Sequence, residues 1–113
     1  MRTGSATRKF PELEPFVRAV EGAYGARLHA IHLFGSRARG NARPDSDYDV
    51  AVVLNDLGDY WTERFRLADL AYDQLLARDI RVQAHPFGLD EWMAGDHEDL
   101  VRSARRVAME LTG

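Results

Sequence analysis

The chain has no cysteine, which excludes disulfides, thiolate catalysis and cysteine-ligated zinc. No apolar run approaches the roughly 20 residues needed to span a bilayer. Residues 1–9 are small, polar and basic, without the apolar centre of a signal peptide, so a cytoplasmic protein is expected. An excess of positive charge is also missing. Fifteen Lys and Arg face eighteen Asp and Glu, for a formal charge of −3, and direct nucleic-acid binding is not expected, because domains that do it are usually basic. Lysine is nearly absent: Lys9 stands against fourteen arginines. Most of these read as a compositional bias, although planar forks in the right place suit phosphate or carboxylate.

What is present is the composition of a folded globular protein, 45% apolar and 29% charged over 113 residues. A chain of this length buries roughly two-thirds of its unfolded surface. The expected organisation is a loose tail over 1–9 and a single domain over 10–113, with no room for a separate acceptor-binding domain.

Pro11 opens an expected helix with Leu13, Phe16, Val17 and Val20 at helical intervals, ended by Gly22 and Gly25. Leu28–Phe34 is short, apolar and glycine-bounded, a first strand. Gly35-Ser36 begins a turn or short helix that Gly40 closes. Tyr48–Leu54 is a Val-rich run that predicts a strand buried on both faces. Residues 60–78 predict a long helix, with Trp61, Phe65, Ala68, Tyr72 and Leu75 as an ordinary core stripe. Residues 79–87 predict a third strand stopped by Pro86, followed by a short turn over Glu91–Met93 capped by Asp90. A last helix is expected from about Asp96 to Leu111, with Arg102, Arg105 and Arg106 on a solvated face. The order αβαβαβα gives an α/β (α+β) class: one small mixed sheet flanked by helices.

The chemistry-bearing segment is Gly35 to Asp49. Two residues apart on a strand, Asp47 and Asp49 point the same way. Their like charges raise one another's pKa unless a cation neutralises them, and Mg²⁺ takes carboxylate oxygens together with substrate phosphates. Alone, a D-x-D is usually no more than an acidic strand entry. Gly35 lets the backbone approach a phosphate without a Cβ clash. Ser36 offers a hydroxyl and an N–H at a helical start, or is simply a helix cap. The two signals at a fixed separation, between strands, are much stronger than either.

The pattern G-S-x10-D-x-D, here Gly35-Ser36 to Asp47-x-Asp49, resembles the signature of the DNA polymerase β-like nucleotidyltransferase superfamily. The run Phe-Gly-Ser-Arg-Ala-Arg-Gly is similar to that of the minimal nucleotidyltransferase domains. The resemblance implies a nucleotidyltransferase fold, ATP as donor, Mg²⁺ as cofactor and loss of pyrophosphate. It also implies an antitoxin role beside an HEPN-domain ribonuclease toxin, in a hetero-oligomer, with AMP placed on a toxin tyrosine. By this likeness Gly35 and Ser36 hold the β- and γ-phosphates, Asp47 and Asp49 ligate the metal and act catalytically, and Arg39 is favoured over Arg37 and Arg43 to offset triphosphate charge.

One position departs from the pattern. The third strand usually supplies another acid, acting as metal ligand and base, and here Gln83 stands in its place. Glutamine offers a carbonyl oxygen but takes no proton from an attacking hydroxyl. His85, expected on the same strand face, could substitute as base; its plainer reading is a strand-end histidine beside Pro86. The alternative function is therefore a catalytically weak or inactive nucleotide-binding antitoxin, which keeps the pocket as a relic or a sensor and neutralises its toxin by direct binding.

Overall fold

The computed structural model describes residues 10–94 and 109–111. The tail expected over 1–9 and most of the last expected helix, with its arginine face, lie outside the described residues. Pro11–Leu13 form a single 3-10 turn that leads into helix α1, Glu14–Tyr24. Leu13, Phe16, Val17 and Val20 are buried as their spacing requires. Gly22 lies within α1; the helix ends at Gly25, whose φ of 54° a residue with a Cβ rarely adopts.

Strand β1 (Leu28–Phe34) and strand β2 (Tyr48–Leu54) have the bounds their apolar runs predicted, with helix α2 (Gly35–Arg39) between them. They pair antiparallel, from Leu28 opposite Leu54 to Phe34 opposite Asp49. Strand β3 (Val82–Gly88) lies parallel to β2, with Tyr48 opposite Val82 and Asp49 opposite Gln83. A parallel pair needs a crossover, supplied by the long helix α3, Tyr60–Arg78. The strand order is β3-β2-β1-β4, where β4 is Met109–Glu110, antiparallel to β1. That short strand corrects the end of the last expected helix: Met109 and Glu110 satisfy the free edge of β1, and Leu111 is fully buried.

β2 is buried on both faces, as expected of a central strand. Val50, Val52 and Leu54 join Ile31 and Leu33 under α1 and α3 in the larger core. Ala51 and Val53 face the opposite side, packed with Phe34, Phe87 and Trp92 of the short helix α4, Leu89–Ala94. Asp90 sits in the first turn of α4, so the capped turn expected over Glu91–Met93 is a helix that starts earlier.

α3 has the predicted bounds but not the predicted orientation. Its buried residues are Glu63, Leu67 and Ala71, whereas Trp61, Phe65 and Tyr72 are 61%, 65% and 56% exposed. The stripe expected in the core faces outward. Glu63 can lie inside because Arg27 Nη2 meets its carboxylate at 3.0 Å, with Arg66 at 3.8 Å. Asp59 caps the start, accepting from the Thr62 N–H and hydroxyl at 2.9 and 2.6 Å. Asp79 ends the helix in the left-handed region at φ 57°, so β3 begins at Val82 and not at Asp79. The outer edge of β3 is covered in part: Arg64 Nη1 donates to the Ala84 carbonyl at 2.6 Å, and Pro86 has no N–H to offer.

Candidate functional site

The exit of β1 and the entry of β2 touch through Gly35 and Asp49. Gly35 has φ 76°, and a Cβ added there would overlap the Asp49 carboxylate, lying 3.2 Å from its Cγ. Both facts require glycine. Phe34 is the N-cap of α2, so Ser36 is the second helical residue and not the cap, and no side chain bonds the first turn's N–H groups. Those donors suit an anion. Gly40, at φ 82°, closes the helix onto the Ser36 carbonyl, which also accepts from the Asn41 N–H at 3.1 Å.

Arg37 fixes the loop between the two halves of the motif. Its Nη2 donates to the carbonyls of Pro44 (3.1 Å) and Ser46 (2.8 Å), and its guanidinium lies 4.2 Å from the centre of the Tyr48 ring. The Arg43 N–H bonds the Ser46 hydroxyl at 2.9 Å, tightening the same turn. Tyr48 is anchored in turn by its hydroxyl, 2.5 Å from Glu12. Burial first, and then the Glu12 carboxylate, push the Tyr48 phenol up to about 12. The holding role of Arg37 was not visible in the sequence; its one available signal was its place inside the motif.

Asp47 and Asp49 come together. The Asp49 carboxyl is held above its ordinary range, by burial first and then by the Asp47 charge, while Arg39 pulls the other way. Gln83, opposite Asp49 in the sheet, completes the group: its Nε2 donates to Asp47 Oδ2 at 3.4 Å. His85 lies on the same face of β3, with its ring 5.7 Å from that of Phe34. Burial first, and then the Arg64 charge, lower its pKa, which favours the neutral imidazole. Among the described residues, no three His, Asp or Glu side chains converge as a metal site. Two carboxylates and a carboxamide therefore form the donor set. No helix among the described residues is long and apolar enough to cross a membrane.

A second feature adjoins the carboxylates. Asp47 and Gln83 help to line a groove of about 550 Å³, together with Trp61, Phe65 and Tyr72 of α3 and Arg81 beside β3. The sequence held a signal for it. α3 carries two apolar stripes, one through Leu67 and Ala71 and one through Phe65 and Tyr72, and a sheet covers only one.

Comparison with known proteins bears on this site. A sequence model of the family described as Polymerase beta, Nucleotidyltransferase matches residues 24–85, more than half of the chain and all of the motif. No curated protein sequence matches. Among solved structures, a toxin–antitoxin with AMP-PNP is 22% identical at a TM-score of 0.60, covering 87% of this chain and 71% of its own. The toxin–antitoxin MntA-HepT is 20% identical at a TM-score of 0.55, covering 93% and 72%. At such identities the likeness is one of fold.

Proposed function

The chain belongs to the polymerase beta nucleotidyltransferase family, and from that membership we propose that it is an ATP- and Mg²⁺-dependent protein adenylyltransferase, the antitoxin of an HEPN-type ribonuclease toxin whose tyrosine receives AMP. The observation that carries this reading is the contact of Gly35 with Asp49, which sets a phosphate-sized turn against a carboxylate pair. The fold neighbours lend support, one of them being a toxin–antitoxin solved with AMP-PNP.

In this reading Gly35 and Ser36 receive the β- and γ-phosphates at the open start of α2, and Arg39 offsets their charge. Asp47 and Asp49 would hold Mg²⁺, with the Gln83 carboxamide beside them. When bound, the ion supplies charge to the α-phosphorus and the departing pyrophosphate. The tyrosine oxygen attacks the α-phosphorus, its bond to the bridging oxygen breaks, and pyrophosphate leaves. The phenolic proton passes to a carboxylate or to the neutral imidazole of His85, since Gln83 takes none.

With ATP labelled at the α-phosphate, the expected result is label on the partner's tyrosine, lost in the Asp47→Asn, Asp49→Asn double variant. Undiminished labelling by that variant refutes the mechanism.

The contact of Gln83 with Asp47 favours a second reading, an antitoxin that retains the nucleotide pocket and neutralises its toxin by binding alone. It predicts that the double variant protects cells from the toxin as well as wild type does. Gln83→Asp separates the two further: faster transfer means that the missing acid limits an active enzyme, and no transfer in either protein favours neutralisation by contact.

A further inference from the structure

The outward stripe of α3 has the spacing of a helix-packing seam. Trp61, Phe65, Ala68, Tyr72 and Leu75 follow one another at intervals of four, three, four and three, the repeat that keeps a seam facing a partner helix. The seam is about 21 Å long at 1.5 Å per residue. Three of its side chains are large, aromatic and more than half exposed, whereas charged and polar residues usually occupy the outer face of such a helix. The other wall is β3, whose edge is poorly suited to adding a strand. The Ala84 carbonyl is already taken by Arg64, and Pro86 has no N–H. Side chains, and not backbone, are what this groove presents.

Its position says what it is for. β1 and β3 lie on opposite sides of β2. Gly35-Ser36 follows β1, Gln83 is on β3, and the two aspartates stand between them at the start of β2. A triphosphate on Gly35-Ser36 would occupy the β1 side, which leaves the β3 side as the approach for the second substrate, and the groove there includes Asp47 and Gln83 in its lining. Its charge is also asymmetric. The cations lining it are Arg64 and Arg81, and the one carboxylate in its lining is Asp47. A second copy of this groove would bring the same arginines and no spare acid.

We propose that this groove seats an amphipathic helix of the acceptor protein, about four turns long, with an apolar stripe against Trp61, Phe65 and Tyr72 and carboxylates facing Arg64 and Arg81. The docked helix leads the acceptor hydroxyl to Asp47. The proposal rests on the transferase reading above and adds the recognition element that reading lacks.

The test uses the full chain and the HEPN-type toxin proposed above as its acceptor, with the Phe65→Asp, Tyr72→Asp double variant. Both positions are solvent-facing, so the variant is expected to fold, and its thermal midpoint is compared with that of wild type. Binding is followed by calorimetry and by tryptophan emission, which reports Trp61 because Trp92 is already buried. The expected result is a blue shift when the partner is added to wild type, and a loss of partner affinity in the variant of about 100-fold, on the scale of two central aromatic anchors. ATP–Mg²⁺ affinity should stay within about twofold, since the proposed phosphate contacts lie across β2. Partner affinity equal to that of wild type overturns the docking proposal and leaves the transferase reading standing. Loss of ATP affinity instead assigns the groove to the nucleotide, and loss of self-association alone assigns it to a second copy; either result overturns the proposal. If wild type neither binds nor labels that toxin, the functional reading fails and the docking proposal falls with it.

Discussion

Two regions meet at Asp47, and they are built by opposite rules. Between Gly35 and Asp49 the key residues have specific neighbours: Gly35 the Asp49 carboxylate, Arg37 two carbonyls and a ring, Ser46 the Arg43 N–H. Along the outer stripe of α3 the large side chains present apolar surface, and the inner stripe buries a glutamate while aromatics face out. The first region is specified residue by residue, so single conservative changes should break it. The second is specified by area and spacing, so it should tolerate single conservative changes and fail under charge.

The contrast is sharpest at Asp49. Asp49→Asn should lower labelling of the partner by about 1,000-fold or more, the scale of losing a catalytic charge, yet raise the thermal midpoint of the nucleotide-free protein. The sign follows from the raised pKa. Ionising Asp49 is harder in the fold than in the unfolded chain, so the carboxylate costs stability above the unfolded pKa, and the cost is fully developed once pH passes the folded value. Below about pH 4, near the ordinary carboxyl value, the group is protonated in both states and the gain in the variant should disappear. A gain that persists in acid would show that charge is not its cause.

Gly35→Ala should cost about 2–3 kcal/mol in denaturant unfolding, because it combines a left-handed backbone with an overlap on Asp49. Within α3, Leu67→Ala should cost about 3 kcal/mol, since Leu67 is fully buried. Arg37→Ala should raise the Mg²⁺ concentration needed for half-maximal labelling by about tenfold, roughly 1.4 kcal/mol. Arg37→Lys should fail to rescue it, because one ammonium does not reproduce two carbonyl bonds and a ring contact; full rescue by lysine would reduce Arg37 to a simple charge. Smallest of all, Phe65→Leu should change unfolding free energy by under about 0.5 kcal/mol. A large loss there would place Phe65 in the core after all and remove the distinction between the two stripes.

The strands β1 and β2 and the length of α3 were legible because each is a local pattern with its own punctuation. The meeting of Gly35 with Asp49 was legible because fixed spacing across an antiparallel connection leaves little freedom. The facing of α3 was not. Periodicity says that Trp61, Phe65 and Tyr72 share a side, but which side a sheet covers depends on what lies opposite. Here Arg27, thirty-six residues before Glu63, lets an acid go inside. β4 was missed for a similar reason: Met109 and Glu110 continue an apparent helical pattern, and only the open edge of β1 makes them a strand. The groove is hidden for the same reason, since a stripe counted as core leaves no exposed surface.

The parallel join of β2 to β3 has a consequence for how the protein is made. β1 and β2 are joined by a short connection and can pair as soon as both have been synthesised. Gln83 comes thirty-four residues after Asp49, and its strand reaches β2 only when the α3 crossover has formed. Contacts separated by so much chain form late. A nascent chain thus carries both aspartates before it has the neighbour that one of them bonds, and the site becomes whole only when its crossover helix is in place.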